Sequence, residues 1–124
     1  MTREIKFRSW DKILKIMSYN SVDAINFKGQ FLLNDGKFHD INKTDYILMQ
    51  YTGLVDKNGK EIYEGDIVKY DGELTTVIFF NGSFFLEKFN FWSSDWVNAD
   101  YWFTNMIVKG NIYENPELIG DKND

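Results

Sequence analysis

The residues best equipped for chemistry are few and scattered. His39 is the sole histidine, set in Lys37-Phe38-His39-Asp40. Asp40 is placed to orient the imidazole for general acid–base work. A Ser–His–acid triad also needs a serine on a sharp Gly-flanked turn, and no G-x-S-x-G stretch occurs. The densest carboxylates are Glu61, Glu64 and Asp66, followed by Asp71 and Glu73. Oxygen-rich clusters hold magnesium or calcium, but these residues lack a calcium-loop spacing and flank turns, where acids are ordinary solvated groups. No GxxxxGK[ST] or GxGxxG pattern offers a phosphate cradle. The expectation is therefore no catalytic residue, no metal site and no cofactor.

Two other groupings favour binding. Arg3, Lys6, Arg8, Lys12 and Lys15 stand against Glu4 and Asp11, a local +3 over residues 1–15, with Trp10 among them. A basic strand with an interleaved aromatic suits single-stranded nucleic acid. Yet Arg3 and Arg8 are the only arginines in the chain, and arginine is the preferred phosphate fork. The second grouping is the connection 92–103, which crowds Trp92, Trp96 and Trp102 beside Tyr101. Tyr and Trp concentrate at contact hot spots, although such rings also close barrel ends as core.

These groups must be positioned by a chain of 124 residues, a length that fits one domain. Net charge is −5, which weakens any case for non-specific phosphate binding. The absence of cysteine excludes disulfides, thiol nucleophiles and Cys-ligated metals, and fits a reducing compartment. No apolar run reaches membrane-spanning length, and the first residues lack a signal-peptide core, so the expected location is a cytoplasm with no membrane partner. Aromatics at 18% with a single proline favour a folded, pleated structure.

Turn dipeptides organise the rest. Asn58-Gly59, Asp71-Gly72 and Asn81-Gly82 each read as two-residue type I′ hairpin loops, with Lys28-Gly29 and Asp35-Gly36 as weaker corners. The Asn81-Gly82 corner sets Phe80 opposite Ser83, Phe79 opposite Phe84, Ile78 opposite Phe85 and Val77 opposite Leu86. The Asp71-Gly72 corner sets Tyr70 opposite Glu73 and Val68 opposite Thr75. The Asn58-Gly59 corner sets Val55 opposite Ile62. Alternation then assigns Val68, Tyr70, Val77, Phe79, Phe84 and Leu86 to the core face. Ile67, Lys69, Leu74, Thr76, Ile78, Phe85, Glu87 and Phe89 fall on a second, mixed face that is still partly apolar, and such a face is either covered or offered to a partner. Glu64-Gly65-Asp66 reads as a bend. Upstream, Glu4 to Trp10 alternates, with Lys6 and Arg8 on one face. Further short strands are expected at 13–19, 22–27, 31–33 and 38–41. Residues 92–103 allow a short helix or a structured loop. Asn115-Pro116-Glu117-Leu118 reads as a capped helical turn.

Three stretches resemble a known family. They are Arg3-Glu4-Ile5-Lys6-Phe7-Arg8-Ser9-Trp10-Asp11, then Leu48 to Leu54 with Asp56-Lys57-Asn58-Gly59-Lys60-Glu61-Ile62-Tyr63-Glu64-Gly65-Asp66-Ile67-Val68, and Gly110-Asn111-Ile112-Tyr113-Glu114-Asn115-Pro116-Glu117-Leu118. Together they resemble the YopX family, small proteins encoded by phages and prophages of Gram-positive bacteria. The resemblance implies a mainly β fold with an SH3-like barrel and a phage gene working in the host cytoplasm. It implies no reaction and carries no site residues.

The fold expected is mainly β: an SH3-like small barrel built from a β-meander, with an N-terminal β segment and at most short helices. One domain spans 1–120, with the β segment at 1–45, the barrel core at 46–113 and a frayed tail at 121–124. The function expected is a non-enzymatic accessory role through self-association or contact with a host or phage protein. Trp92, Trp96, Tyr101, Trp102, Phe85 and Phe89 are the contact candidates. Opposite charge at the two ends, +3 over 1–15 and −4 over 89–124, favours either packing of the termini within one chain or pairing between subunits, and with the partly apolar second face the expectation is a homo-oligomer. The alternative is a nucleic-acid-binding module using Arg3, Lys6, Arg8, Trp10 and Lys15. An enzyme is the third reading.

Overall fold

A computed structural model describes residues 5–19, 22–26, 28–41, 44–80, 83–87 and 105–120. The chain divides into two compact units, residues 1–51 and 52–124. The fold is mainly β.

In the first unit, β1 (Phe7–Asp11) lies between β2 (Ile16–Tyr19) and β6 (Tyr46–Val55). All pairing is antiparallel, with Arg8 opposite both Tyr19 and Met49, and Trp10 opposite both Met17 and Ile47. The central position explains the first departure from expectation. Alternation assigns Arg8 to a solvated basic face, but Arg8, Ser9 and Trp10 are buried in succession. A strand flanked on both edges and covered on both faces does not show a period of two. β3 (Val22–Ile25), β4 (Gln30–Leu33) and β5 (Phe38–Asp40) form a second antiparallel sheet in that order. Phe31 and Leu33 turn their side chains into its buried side.

β6 carries the chain into the second unit, followed by β7 (Glu61–Tyr63), β8 (Asp66–Tyr70), β9 (Glu73–Phe80), β10 (Ser83–Leu86) and β11 (Met106–Asn111). The sheet order is β10-β9-β8-β11, an antiparallel meander closed by the late strand β11 beside β8. The meander curls into a half-barrel of the SH3-like class. β-Branched and aromatic residues dominate β9, Glu73-Leu74-Thr75-Thr76-Val77-Ile78-Phe79-Phe80, as a pleated strand prefers. The core is Ile62, Val68, Tyr70, Val77, Leu86 and Met106, flanked by Leu54 and Val108. Each such side chain contributes roughly 1.5–3 kcal/mol when removed from water.

The two later hairpins have the registers read from their corners. Tyr70 lies opposite Glu73 and Val68 opposite Thr75. Phe80 lies opposite Ser83 and Val77 opposite Leu86. Asp71 and Gly72 both take positive φ, 53° and 80°, as a type I′ loop demands. The face assignment is only partly right. Phe84 is buried, but its cross-strand neighbour Phe79 is 42% exposed at the end of β9, with the two rings 4.7 Å apart. Ile67, Thr76 and Phe85 on the second face are also buried. The 3₁₀ turn Pro116–Ile119 lies against β9. The middle of the sheet is thus covered on both sides, and its Phe79–Phe80 end is not.

The Asn58-Gly59 corner differs from expectation. Asp56 N–H donates to the Lys60 carbonyl at 2.7 Å and Gly59 N–H to the Asp56 carbonyl at 2.9 Å. The loop is therefore three residues, Lys57-Asn58-Gly59, with Gly59 alone at positive φ, 84°. Asp56 faces Lys60, so the expected Val55–Ile62 register is displaced by one residue. The corners at Lys28-Gly29 and Asp35-Gly36 are built the same way, through Asn26–Gln30 and Leu33–Lys37.

Candidate functional site

The carboxylates that look most like a site are structural. Asp56 is 4% exposed. Its Oδ1 accepts the N–H groups of Asn58 at 2.8 Å and Lys60 at 2.9 Å, and its Oδ2 accepts that of Val108 at 2.8 Å. Lys57 N–H donates to the Met106 carbonyl beside it. One carboxylate thus ties the corner after β6 to strand β11. Buried Asp66 does the same for the next bend: its Oδ2 accepts Tyr63 N–H at 2.7 Å. Gly65, at φ 90°, donates to the Val77 carbonyl and accepts from Ile112 N–H. At the end of β11, buried Asn111 accepts the N–H groups of Tyr113 and Glu114 through Oδ1 and donates Nδ2 to Glu114. Asn115 accepts Asn111 N–H at 3.1 Å, so it braces that turn and does not cap the 3₁₀ turn that follows. Of the motif residues, Asp56, Asp66 and Asn111 are buried polar joints, and half-buried Asn115 braces the last of them. Sequence reading missed Asp56 and Asn111; for Asp56 an Asx residue three positions before a turn glycine, as in Asn26 to Gly29, was the signal available, whereas Asn111 has no such glycine after it.

His39 sits between Phe31 and Tyr46, with ring centroids 5.8 and 4.9 Å away. Its Nε2 lies 3.3 Å from Asp35 Oδ2. The expected orienting residue, Asp40, is its neighbour in the chain, but the imidazole meets Asp35 across the β4–β5 corner. The Lys37 N–H, with His39 adding to it, holds the Asp35 carboxyl below the usual carboxylate value. Burial, with the charges of Asp11, Asp35 and Asp45 behind it, raises the Tyr46 phenol. Among the described residues, no hydroxyl group is hydrogen-bonded to the imidazole, whose partner is Asp35. Among the described residues, no group of three or more His, Asp or Glu side chains converges as metal ligands do.

The basic set is not brought together as one surface. Arg8 is 2% exposed and Trp10 6%. Arg8 donates Nη1 to the Tyr19 hydroxyl at 3.3 Å and lies 5.7 Å from the Tyr19 ring centroid. Lys6 is half-buried, its Nζ 4.9 Å above the Tyr51 ring. Lys15 is exposed at the corner after β1. The fork and the stacking ring of the nucleic-acid reading are thus both sequestered, because β1 is an interior strand. Arg3 lies outside the described residues.

Of the contact candidates, Phe85 is 7% exposed and packs edge-on to Phe80, 6.4 Å between centroids. It fills the covered face rather than presenting itself. Phe89, Trp92, Trp96, Tyr101 and Trp102, with the short helix considered for 92–103, lie outside the described residues. Apolar residues that are exposed include Ile13, Leu14 and Ile16 in the first unit, and Phe79, Phe80 and Ile119 in the second. No described helix is long and apolar enough to cross a membrane.

Comparison with known proteins gives a family and a fold. The YopX protein family matches residues 6–120. The crystal structure of protein EF1440 from Enterococcus faecalis is similar, with a TM-score of 0.65 and 28% identity over 95% of this chain and 99% of that one. Protein yopX from Bacillus subtilis has the same fold at a TM-score of 0.53, with 23% identity over 90% of this chain and 95% of that one. No curated protein matches the chain.

Proposed function

The chain belongs to the YopX family, and from that premise we propose that it is a non-enzymatic, phage-encoded accessory protein acting by protein contact, first of all with itself, in the host cytoplasm. One observation supports this reading above others. The polar side chains of its most distinctive stretches, Asp56, Asp66, Asn111 and Asn115, are directed at the chain's own backbone N–H groups. Large apolar groups such as Ile13, Leu14 and Phe80, by contrast, stand in water. Polar groups committed to turns build a rigid platform, and exposed aliphatic and aromatic groups on it are what a protein partner buries. The Trp-rich connection remains part of the proposed contact surface on its composition.

The test is sedimentation velocity over a concentration series, paired with fluorescence anisotropy on labelled single-stranded and duplex DNA at two salt concentrations. Concentration-dependent association with no salt-sensitive DNA binding is expected. A strict monomer at high concentration overturns self-association. Tight DNA binding that falls steeply with salt overturns the protein-contact reading in favour of nucleic acid.

A further inference from the structure

The corner between β1 and β2 is Lys12-Ile13-Leu14-Lys15. Ile13 is 68% exposed and Leu14 66%, and Ile16 at the start of β2 is also exposed. Corners ordinarily carry Gly, Asn, Asp or Ser. This one carries two large aliphatic side chains, and it is nonetheless closely specified. Asp11 Oδ1 accepts the N–H groups of Ile13 and Leu14, each at 2.9 Å. The Asp11 carbonyl accepts Lys15 N–H, and Lys12 N–H donates to the Asp45 carbonyl, each at 2.8 Å. Lys15 is held at φ 61°, a left-handed conformation that glycine adopts without strain. A pinned corner with one left-handed residue that holds apolar side chains in water costs stability and offers a surface that a partner can bury.

Charge complementarity narrows what could cover it, although Asp11 and Asp45 also stand at the corner. Exposed Lys12 and Lys15 flank the aliphatic pair. Residues 1–51 hold eight Lys or Arg against six Asp or Glu, a net +2, whereas residues 52–124 hold six against thirteen, a net −7. Asp71, Glu73, Glu87, Glu114 and Glu117 of the second unit are exposed. We propose that the Lys12–Lys15 corner docks on the acidic second unit of another copy of this chain. The proposal rests on the self-association reading above and names its contact. Ile13 and Leu14 supply the buried area, and the two lysines steer the encounter and fix its orientation. The contact is heterologous, one surface against a different one, so it propagates to a ring or a chain of copies.

The experiment compares sedimentation equilibrium of wild type, Ile13→Ser/Leu14→Ser and Lys12→Glu/Lys15→Glu at low and high salt, with circular dichroism showing that each variant is folded. All four side chains are exposed, so folding is expected to survive. Both variants are expected to weaken wild-type association by about tenfold or more, and high salt is expected to weaken the wild type. Wild-type association that both variants leave intact overturns the proposal and spares the broader reading. Loss in the serine variant without loss in the glutamate variant, or at high salt, overturns the acidic partner. A wild type that is monomeric throughout overturns both readings together.

Discussion

The Asp56 carboxylate accepts the backbone N–H of Val108, 52 positions further along the chain, at 2.8 Å. The same carboxylate closes its own three-residue corner through Asn58 and Lys60. A local turn and a long-range strand contact therefore share one buried side chain. Asp56→Ala leaves three N–H groups without their acceptor and is expected to cost about 3 kcal/mol or more. Asp56→Asn keeps an oxygen for the corner but turns an NH₂ toward Val108, and should cost less. Urea denaturation of the two variants checks both the size and the order.

Gly65 holds φ 90° while bonded to Val77 and Ile112. A β-branched residue cannot take that conformation without strain, so Gly65→Val is expected to destabilise by about 2–4 kcal/mol. The loss should appear in thermal unfolding. A fully folded variant that has lost only its self-association would show that the bend serves contact rather than architecture.

Gly110 is closed to side chains by a single neighbour. A Cβ there would fall on the Asn115 carboxamide, 2.7 Å from its Cγ. Gly110→Ala is expected to cost about 1–3 kcal/mol. Asn115→Ala also destabilises, through the lost bond to Asn111. In the double variant the clash with the carboxamide is gone and only the Cβ of residue 115, 3.0 Å away, stays close, so the combined cost should fall short of the sum by about 0.5 kcal/mol or more, which a double-mutant cycle measures directly.

Lys15 is the mirror case, a side chain where glycine would be at ease. Lys15→Gly is expected to raise stability by a few tenths to about 1 kcal/mol, strain relief outweighing the added freedom of the unfolded chain. Its melting temperature should rise or hold. A drop would mean that the Lys15 side chain stabilises the corner.

The Asp35 carboxyl is held low first by the Lys37 N–H, against an ordinary value of 3.8. Its folded value lies below its unfolded one. The stabilisation is therefore complete above the unfolded value and is lost as pH falls through the folded one. Stability measured from about pH 5 down to pH 2 should fall less for Asp35→Asn than for wild type. Carbon-detected titration of the wild-type carboxyl should give a midpoint under 3.8.

The hairpins at Asp71-Gly72 and Asn81-Gly82 were legible in the sequence to the residue, because a two-residue loop permits one register between alternating strands. Asn58-Gly59 looks identical in sequence and folds differently, because Asp56 two residues earlier captures the Asn58 and Lys60 N–H groups and lengthens the loop by one. Arg8 and Trp10 misled for another reason. Alternation identifies the faces of a half-covered strand, and β1 is covered on both. Exposure of Ile13 and Leu14 was invisible in the sequence, since aliphatic residues beside a strand read as part of it. The placement of β11 beside β8 was likewise hidden, because contacts between distant segments leave no local spacing to read.

That placement also sets the order in which the protein can mature on the ribosome. The corner at residues 56–60 is translated well before the groups that complete its burial, the Met106 carbonyl and the Val108 amide of β11. A nascent fragment ending before β11 carries an uncovered barrel edge and an Asp56 still facing solvent. The second unit therefore closes only once β11 has joined β8, 52 positions of chain beyond the corner it completes.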